Sequence, residues 1–181
     1  MAIAESCPLI HKISLGELSP KAKQSKISDE SIVKLASRCS RLQDVTLGSP
    51  YITDVSFKAL ARYASCLRDL CVHNCQFTDA GLIPIGQQCP QFHTLSFDSP
   101  FITDDGIAAL SGLTELYIQG NAEVTAFAIA QLVVRSPNME WFDTFRCPLW
   151  PGGHSRELVR LIHEHLPNPE QSRRELMRAL G

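Results

Sequence analysis

Cys71-Val72-His73-Asn74-Cys75 gathers two thiols and an imidazole within a single short segment. In an extended strand successive side chains alternate faces, so Cys71 and His73 share one side and Val72 takes the other. Asp98 falls beside His73 if the next strand repeats the pattern. Thiol, imidazole and carboxylate are the types needed for a nucleophile, its base and the base's orienter, or for three zinc ligands. The surrounding residues match no local signature of either chemistry, and an open sheet supplies no oxyanion donor or water-excluding pocket. The reading is therefore a chain that is not an enzyme and needs no cofactor and no metal. His163 and His165, two apart in a helical segment, lie on different faces and read as surface residues.

The elements that must position these residues come from a repeat. Ile27-Ser28-Asp29, Ile52-Thr53-Asp54, Phe77-Thr78-Asp79 and Ile102-Thr103-Asp104 recur every 25 residues, and Val124-Thr125-Ala126 follows after 22. Apolar residues precede the three middle anchors at fixed distances: Leu42, Val45 and Leu47; Leu67, Leu70 and Val72; Phe92, Leu95 and Phe97. This is L-x-x-L-x-L. Leu113, Leu116 and Ile118 keep the spacing, as do Ile10, Ile13 and Leu15 ahead of an SPKAKQS insertion that reads as a solvated loop. The L-x-L part alternates as a half-buried strand does. The Ser-Asp or Thr-Asp pair then caps a following helix, accepting N–H bonds from its first turn. One such unit cannot bury its own apolar face, so stacked neighbours must cover it.

These residues resemble the cysteine-containing subclass of leucine-rich repeats. Cys7-Pro8, Cys39 and Cys89-Pro90 fill the subclass's first position, with Ser136-Pro137 as a fainter match, and Leu18, Pro50, Cys75, Pro100 and Asn121 stand at its Cys/Asn position. The resemblance covers about residues 4 to 146. It implies an α/β solenoid, curved and right-handed, with parallel strands on a concave side and helices outside. It also implies a protein-interaction role, because repeats of this kind occur in F-box proteins, the substrate receptors of cullin-type ubiquitin ligases. Nothing ahead of Cys7 would form an F-box, so contact with Skp1- or cullin-type subunits is expected only through an F-box missing from this chain.

The solenoid is expected over residues 1–146 and a helical C-terminal cap or extension over 147–181. CPLWPGG breaks the pattern after Arg146, and Leu158, Leu161, Ile162 and Leu166, then Leu176, Met177 and Leu180, lie at helical spacing. With 181 residues, 44% hydrophobic and 20% charged, the chain can bury one substantial core. Its net charge of −2 and pI near 6.3 give no basic field for nucleic acid. No apolar run is long enough for a membrane span, and no secretory signal opens the chain. Seven cysteines without C-x-x-C pairs fit a reducing compartment, hence a cytoplasmic or nuclear location.

Residues flanking the buried pairs form three columns across the concave face: Lys12, Asp44, Asp69, Thr94, Glu115 and Trp141; Ser14, Thr46, Cys71, Ser96, Tyr117 and Asp143; Gly16, Gly48, His73, Asp98, Gln119 and Phe145. Carboxylates bias the face negative and aromatics gather at its C-terminal end. The expected partner-binding residues are Asp69, His73, Asp98, Glu115, Tyr117, Gln119, Trp141 and Asp143. Aromatic anchors bordered by charge suit another protein offering a basic segment.

Overall fold

The computed structural model describes residues 9–16 and 27–147. Strands and helices alternate along the chain: β1 (Lys12–Gly16), α1 (Asp29–Arg38), β2 (Asp44–Gly48), α2 (Asp54–Tyr63), β3 (Asp69–His73), α3 (Asp79–Gln88), β4 (Thr94–Phe97), α4 (Asp104–Ala108), β5 (Glu115–Ile118), α5 (Ala126–Arg135) and β6 (Trp141–Asp143). The strands pair in parallel and in chain order, forming one sheet of six among the described residues. Its register joins Val45, Leu70, Leu95 and Leu116, and Leu47, Val72, Phe97 and Ile118, as the repeat predicts. The architecture is thus a solenoid-like α/β stack. The SPKAKQS loop and the two C-terminal helices expected from the sequence lie outside the described residues.

One face of each strand is buried against the helices' apolar sides in a continuous core. Phe57, Phe77 and Phe97 stack through it, with ring centroids 4.1 Å and 6.4 Å apart. All eight residues of the two register rows just named are at most 1% exposed. Leu15, on the first strand, is only partly buried because no described strand pairs with its far side. Gly48, expected to face outward, is buried as well. A Cβ on Gly16 (φ 98°) would meet the Gly48 carbonyl oxygen at 2.0 Å, so these two backbones close together and neither column position offers a side chain.

The Thr-Asp pair does more than cap. Thr53, Thr78, Thr103 and Thr125 each accept an N–H from the first turn of their own helix, as expected; Ser28 makes no such bond. The aspartate that follows each anchor reaches the next unit instead. Asp29 accepts the Thr53 N–H (2.9 Å) and hydroxyl (2.7 Å), Asp54 those of Thr78, Asp79 those of Thr103, and Asp104 those of Thr125. Ala126 ends the series. Room for the carboxylate is made two residues into the receiving helix. A Cβ on Gly81 would lie 2.6 Å from an Asp54 oxygen, and one on Gly106 would lie 2.2 Å from an Asp79 oxygen. At the equivalent point of α2, Ser56 donates its hydroxyl to Asp29 at 2.6 Å. Burial pulls the Asp29 carboxyl upward, but the bonds from Ser56 and Thr53 outweigh it and hold the group below its ordinary value.

A second row of bonds runs along the turns after the strands. Cys75 and Asn121 occupy the Cys/Asn position as the resemblance expects, and Cys75 Sγ contacts the Leu47 carbonyl while Asn121 Nδ2 donates to the Ser99 and Ile102 carbonyls. Where proline stands there, the serine just before it substitutes. The Ser49 hydroxyl donates to the Ile27 carbonyl, and the Ser99 hydroxyl to that of Phe77. The row is therefore continuous from Ser49 to Asn121. Asn121 also accepts the N–H groups of Glu123 and Val124, holding the turn that carries one extra residue.

Truncating Leu70 to Ala removes a side chain that is 1% exposed and is expected to cost about 2–5 kcal/mol in chemical denaturation. A loss under about half a kcal/mol would contradict the packing. The Asp–Gly pairing predicts a non-additive cycle. Asp79→Ala strands the Thr103 N–H and should cost about 1–3 kcal/mol. Gly106→Ala, which in an unhindered helix would stabilise by up to about 1 kcal/mol, should destabilise. In the Asp79→Ala background that penalty should largely vanish. Additive effects would show that the carboxylate does not set the glycine. Because the folded Asp29 carboxyl lies below its unfolded value, its contribution is full above the unfolded pKa and is lost as acid titrates the folded group. Asp29→Asn should accordingly flatten the acid limb of a stability–pH curve.

Candidate functional site

The face of the sheet opposite the core carries the side chains that alternate with the buried rows. They stay partly exposed, whereas their neighbours are sealed. Strand register aligns the first two predicted columns across the sheet: Lys12, Asp44, Asp69, Thr94, Glu115 and Trp141 in one row, and Ser14, Thr46, Cys71, Ser96, Tyr117 and Asp143 in the next. A shallow groove of about 530 Å³ crosses this face, running from Lys12 on β1 to Tyr117 on β5 and floored by Thr46, Cys71 and Ser96.

The predicted residues divide around that groove. Asp69 and Tyr117 line it. Glu115 sits at its border and accepts the Tyr117 hydroxyl at 2.9 Å. Burial, that bond, and the charges of Glu115 and Asp143 all raise the Tyr117 phenol, which keeps its proton and donates it. Trp141 and Asp143 stand on β6, beyond the groove's end, and Gln119 follows β5 with its side chain exposed. Phe145 is 50% exposed. Lys12, Asp44, Thr94 and Ser96 were not singled out from the sequence yet line the groove; their column membership was the available signal. The N-terminal strands β1 and β2 supply Lys12, Asp44, Val45 and Thr46 to its lining, although the glycines at 16 and 48 offer no side chain there.

Asp44 and Asp69 face each other across β2 and β3, and Lys12 reaches Asp44 at 3.4 Å. Burial, together with the neighbouring Asp44 carboxylate, lifts the Asp69 carboxyl above its ordinary value against a hydrogen bond from Thr94. A cation laid between the two would relieve that repulsion.

Asp98 has a structural duty that the column reading missed. Its carboxylate accepts the Asn74 backbone N–H, with oxygens at 2.9 and 3.2 Å, where Asn74 turns the chain at φ 51°. The same carboxylate lies 3.9 Å from His73 Nδ1. On the imidazole's other side, Nε2 meets Cys71 Sγ at 2.9 Å. Thiol, imidazole and carboxylate are thus brought into line, with Cys71 the member that lines the groove. Burial alone would raise the Cys71 thiol, but the hydrogen bond and charge of His73, aided by Ser96, bring it below its ordinary value. His73 is raised by its bond to Cys71, against the pull of burial, with the charges of Cys71 and Asp98 adding to the rise. Cys75, only two residues further on, turns inward, and burial pushes it up to about 11. No group of three or more potential metal ligands is assembled among the described residues, and no described helix is long and apolar enough to cross a membrane.

No family model and no curated protein matches the chain. Among solved structures it is similar to one described as the Rad7 and Elc1 complex in yeast, at 14% identity and a TM-score of 0.46. That match covers 80% of this chain and 53% of the other, so this chain spans about half the neighbour's length.

Proposed function

We propose that the chain is a protein–protein interaction module that grips a basic segment of a partner across the open face of its sheet. The observation that carries this reading is the paired Asp44 and Asp69 in the groove wall, one of them raised by burial and by the other's charge. A lysine or arginine side chain there gains the Asp69 carboxylate, shares Asp44 with Lys12, and relieves the repulsion between the two aspartates. Tyr117 supplies the apolar anchor at one end, its ring held by the bond to Glu115. Glu115, Asp98 and Asp143 extend the negative field, while His73, Gln119 and Trp141 complete the border. The work is binding, without catalysis or a cofactor.

Joined to the leucine-rich repeat resemblance, this makes the chain the substrate-recognition part of an F-box-like ubiquitin-ligase receptor. Skp1- and cullin-type subunits would then be engaged by an F-box outside this sequence. A second reading, an adaptor or assembly factor with no ubiquitin role, has its own support. Tyr51 and Phe101 occupy equivalent positions two units apart and are 61% and 56% exposed, off the sheet face. Aromatic side chains so placed offer contact area on the turn edge.

Quantitative capture from cell extract distinguishes the two. Tyr117→Ala should weaken capture by about 1–2 kcal/mol or more without unfolding the chain. Asp69→Lys should lower it further and flatten its salt dependence, since the attraction being lost is electrostatic. Tyr51→Ala with Phe101→Ala should leave it intact. If instead capture survives both face variants and is lost with the turn-edge pair, or with Arg160→Glu in the C-terminal segment, the adaptor reading replaces the first.

A further inference from the structure

His73 and Asp98 border the proposed binding face, but the Cys71 thiol aligned with them has no part in gripping a basic segment. Six cysteines lie among the described residues; Cys39, Cys75, Cys89 and Cys147 are buried, and Cys66 and Cys71 are partly exposed. Of these two, Cys71 is the one that lines the groove and has an imidazole nitrogen 2.9 Å from its sulfur. Asp98, 3.9 Å from the imidazole's far nitrogen, favours the protonated ring, and it is itself fixed by the Asn74 N–H. A thiolate beside an imidazolium, open to a groove, is the arrangement that makes a cysteine react with soft electrophiles.

We propose that Cys71 is a site of reversible thiol modification, accepting low-molecular-weight disulfides by exchange at the floor of the groove. The Cys71 thiolate attacks one sulfur of the small disulfide. That disulfide's S–S bond breaks, its electron pair leaves on the second sulfur, and the His73 imidazolium supplies the proton that makes it a thiol. One disulfide is consumed and one mixed disulfide is made, so no further oxidant enters; excess small thiol reverses the step. The groups facing Cys71 set the preference among disulfides. Asp69 shares its strand, Asp44 lies on β2, Ser96 on β4 and Asp98 just beyond it. The three carboxylates outnumber the two cations beside them, Lys12 on β1 against Asp44 and the His73 ring against Asp98, and so favour a positively charged disulfide over an anionic one. Cys75 and Cys89, each pushed up to about 11 by burial, stay as inert thiols in the same chain.

The test treats the full chain with cystamine, a cationic disulfide, and follows each cysteine by peptide mass spectrometry between pH 6 and 9.5. Cys71 should be modified about tenfold or more faster than Cys66 at pH 6.5, where an ordinary thiol is almost wholly protonated. His73→Gln should slow Cys71 by about tenfold at pH 6.5 and change little at pH 9.5, a pH-selective loss that a purely structural role would not give. Relative to a small reference thiol, cystamine should outpace 3,3′-dithiodipropionate. The wild-type rate–pH profile decides the matter even if the variant folds poorly. An inflection well below the ordinary thiol value of about 8.5 supports the site. An inflection at that value, or equal rates at Cys71 and Cys66, overturns it.

Discussion

A carboxylate that leaves its own helix to satisfy the next one sets the geometry of this molecule. Asp29, Asp54, Asp79 and Asp104 each accept both the N–H and the hydroxyl of the following unit's threonine. That threonine can then turn its own lone pair toward the first turn of its helix. Helix start, inter-unit distance and strand register are thereby tied together: a helix displaced along the stack would break two short bonds at once. The glycines of α3 and α4 suit the same constraint, since as Asp54 and Asp79 are placed a Cβ there would come within 2.6 Å and 2.2 Å of their oxygens, whereas α2 meets Asp29 with the Ser56 hydroxyl. The phenylalanine stack supplies the apolar filling, while the polar bonds supply the pitch.

Most of the frame was legible in the residues. An L-x-x-L-x-L spacing repeated in register fixes which side chains face the core, and from those the outward columns follow by alternation. Periodicity places a residue along the chain, but it does not say which of two neighbours a side chain will choose. That is why Asp54 read as part of a cap when its oxygens serve Thr78, and why Asp98 read as a rim charge when it anchors Asn74. Ser49 and Ser99 escaped notice for a related reason: the pattern directs attention to Pro50 and Pro100, and the compensating hydroxyl stands one residue earlier. The depth of the groove was also hidden. Its extension toward β1 depends on Lys12 and Asp44, whose neighbours at the glycine positions gave no sign of a wall.

The open face combines two properties seldom compatible on a plain surface. Its carboxylates raise the cost of negative charge, yet its central sulfur is brought toward the thiolate form. The imidazole between Cys71 and Asp98 reconciles them, because a protonated ring offsets both anions. Segregation does the rest: Cys75 lies past the end of β3, where the turn at Asn74 carries it into the interior, and burial keeps it inert. Two cysteines four residues apart, which strand alternation alone would put on one face, thus have opposite chemistry because the chain turns at Asn74 between them.

The unit ending at Thr125 is shorter than the others, yet its threonine meets Asp104 at 2.7 Å just as its longer counterparts meet theirs. Spacing between units is therefore a property of the bonds and not of the number of residues between them. The stack behaves as a ruler graduated in carboxylates. Excision of residues 52–76 would present Thr78 to Asp29 in place of Thr53, leaving every remaining graduation matched, whereas removal of a dozen residues would leave a carboxylate and a threonine without counterparts. Length is adjustable in such a chain, but only in whole steps.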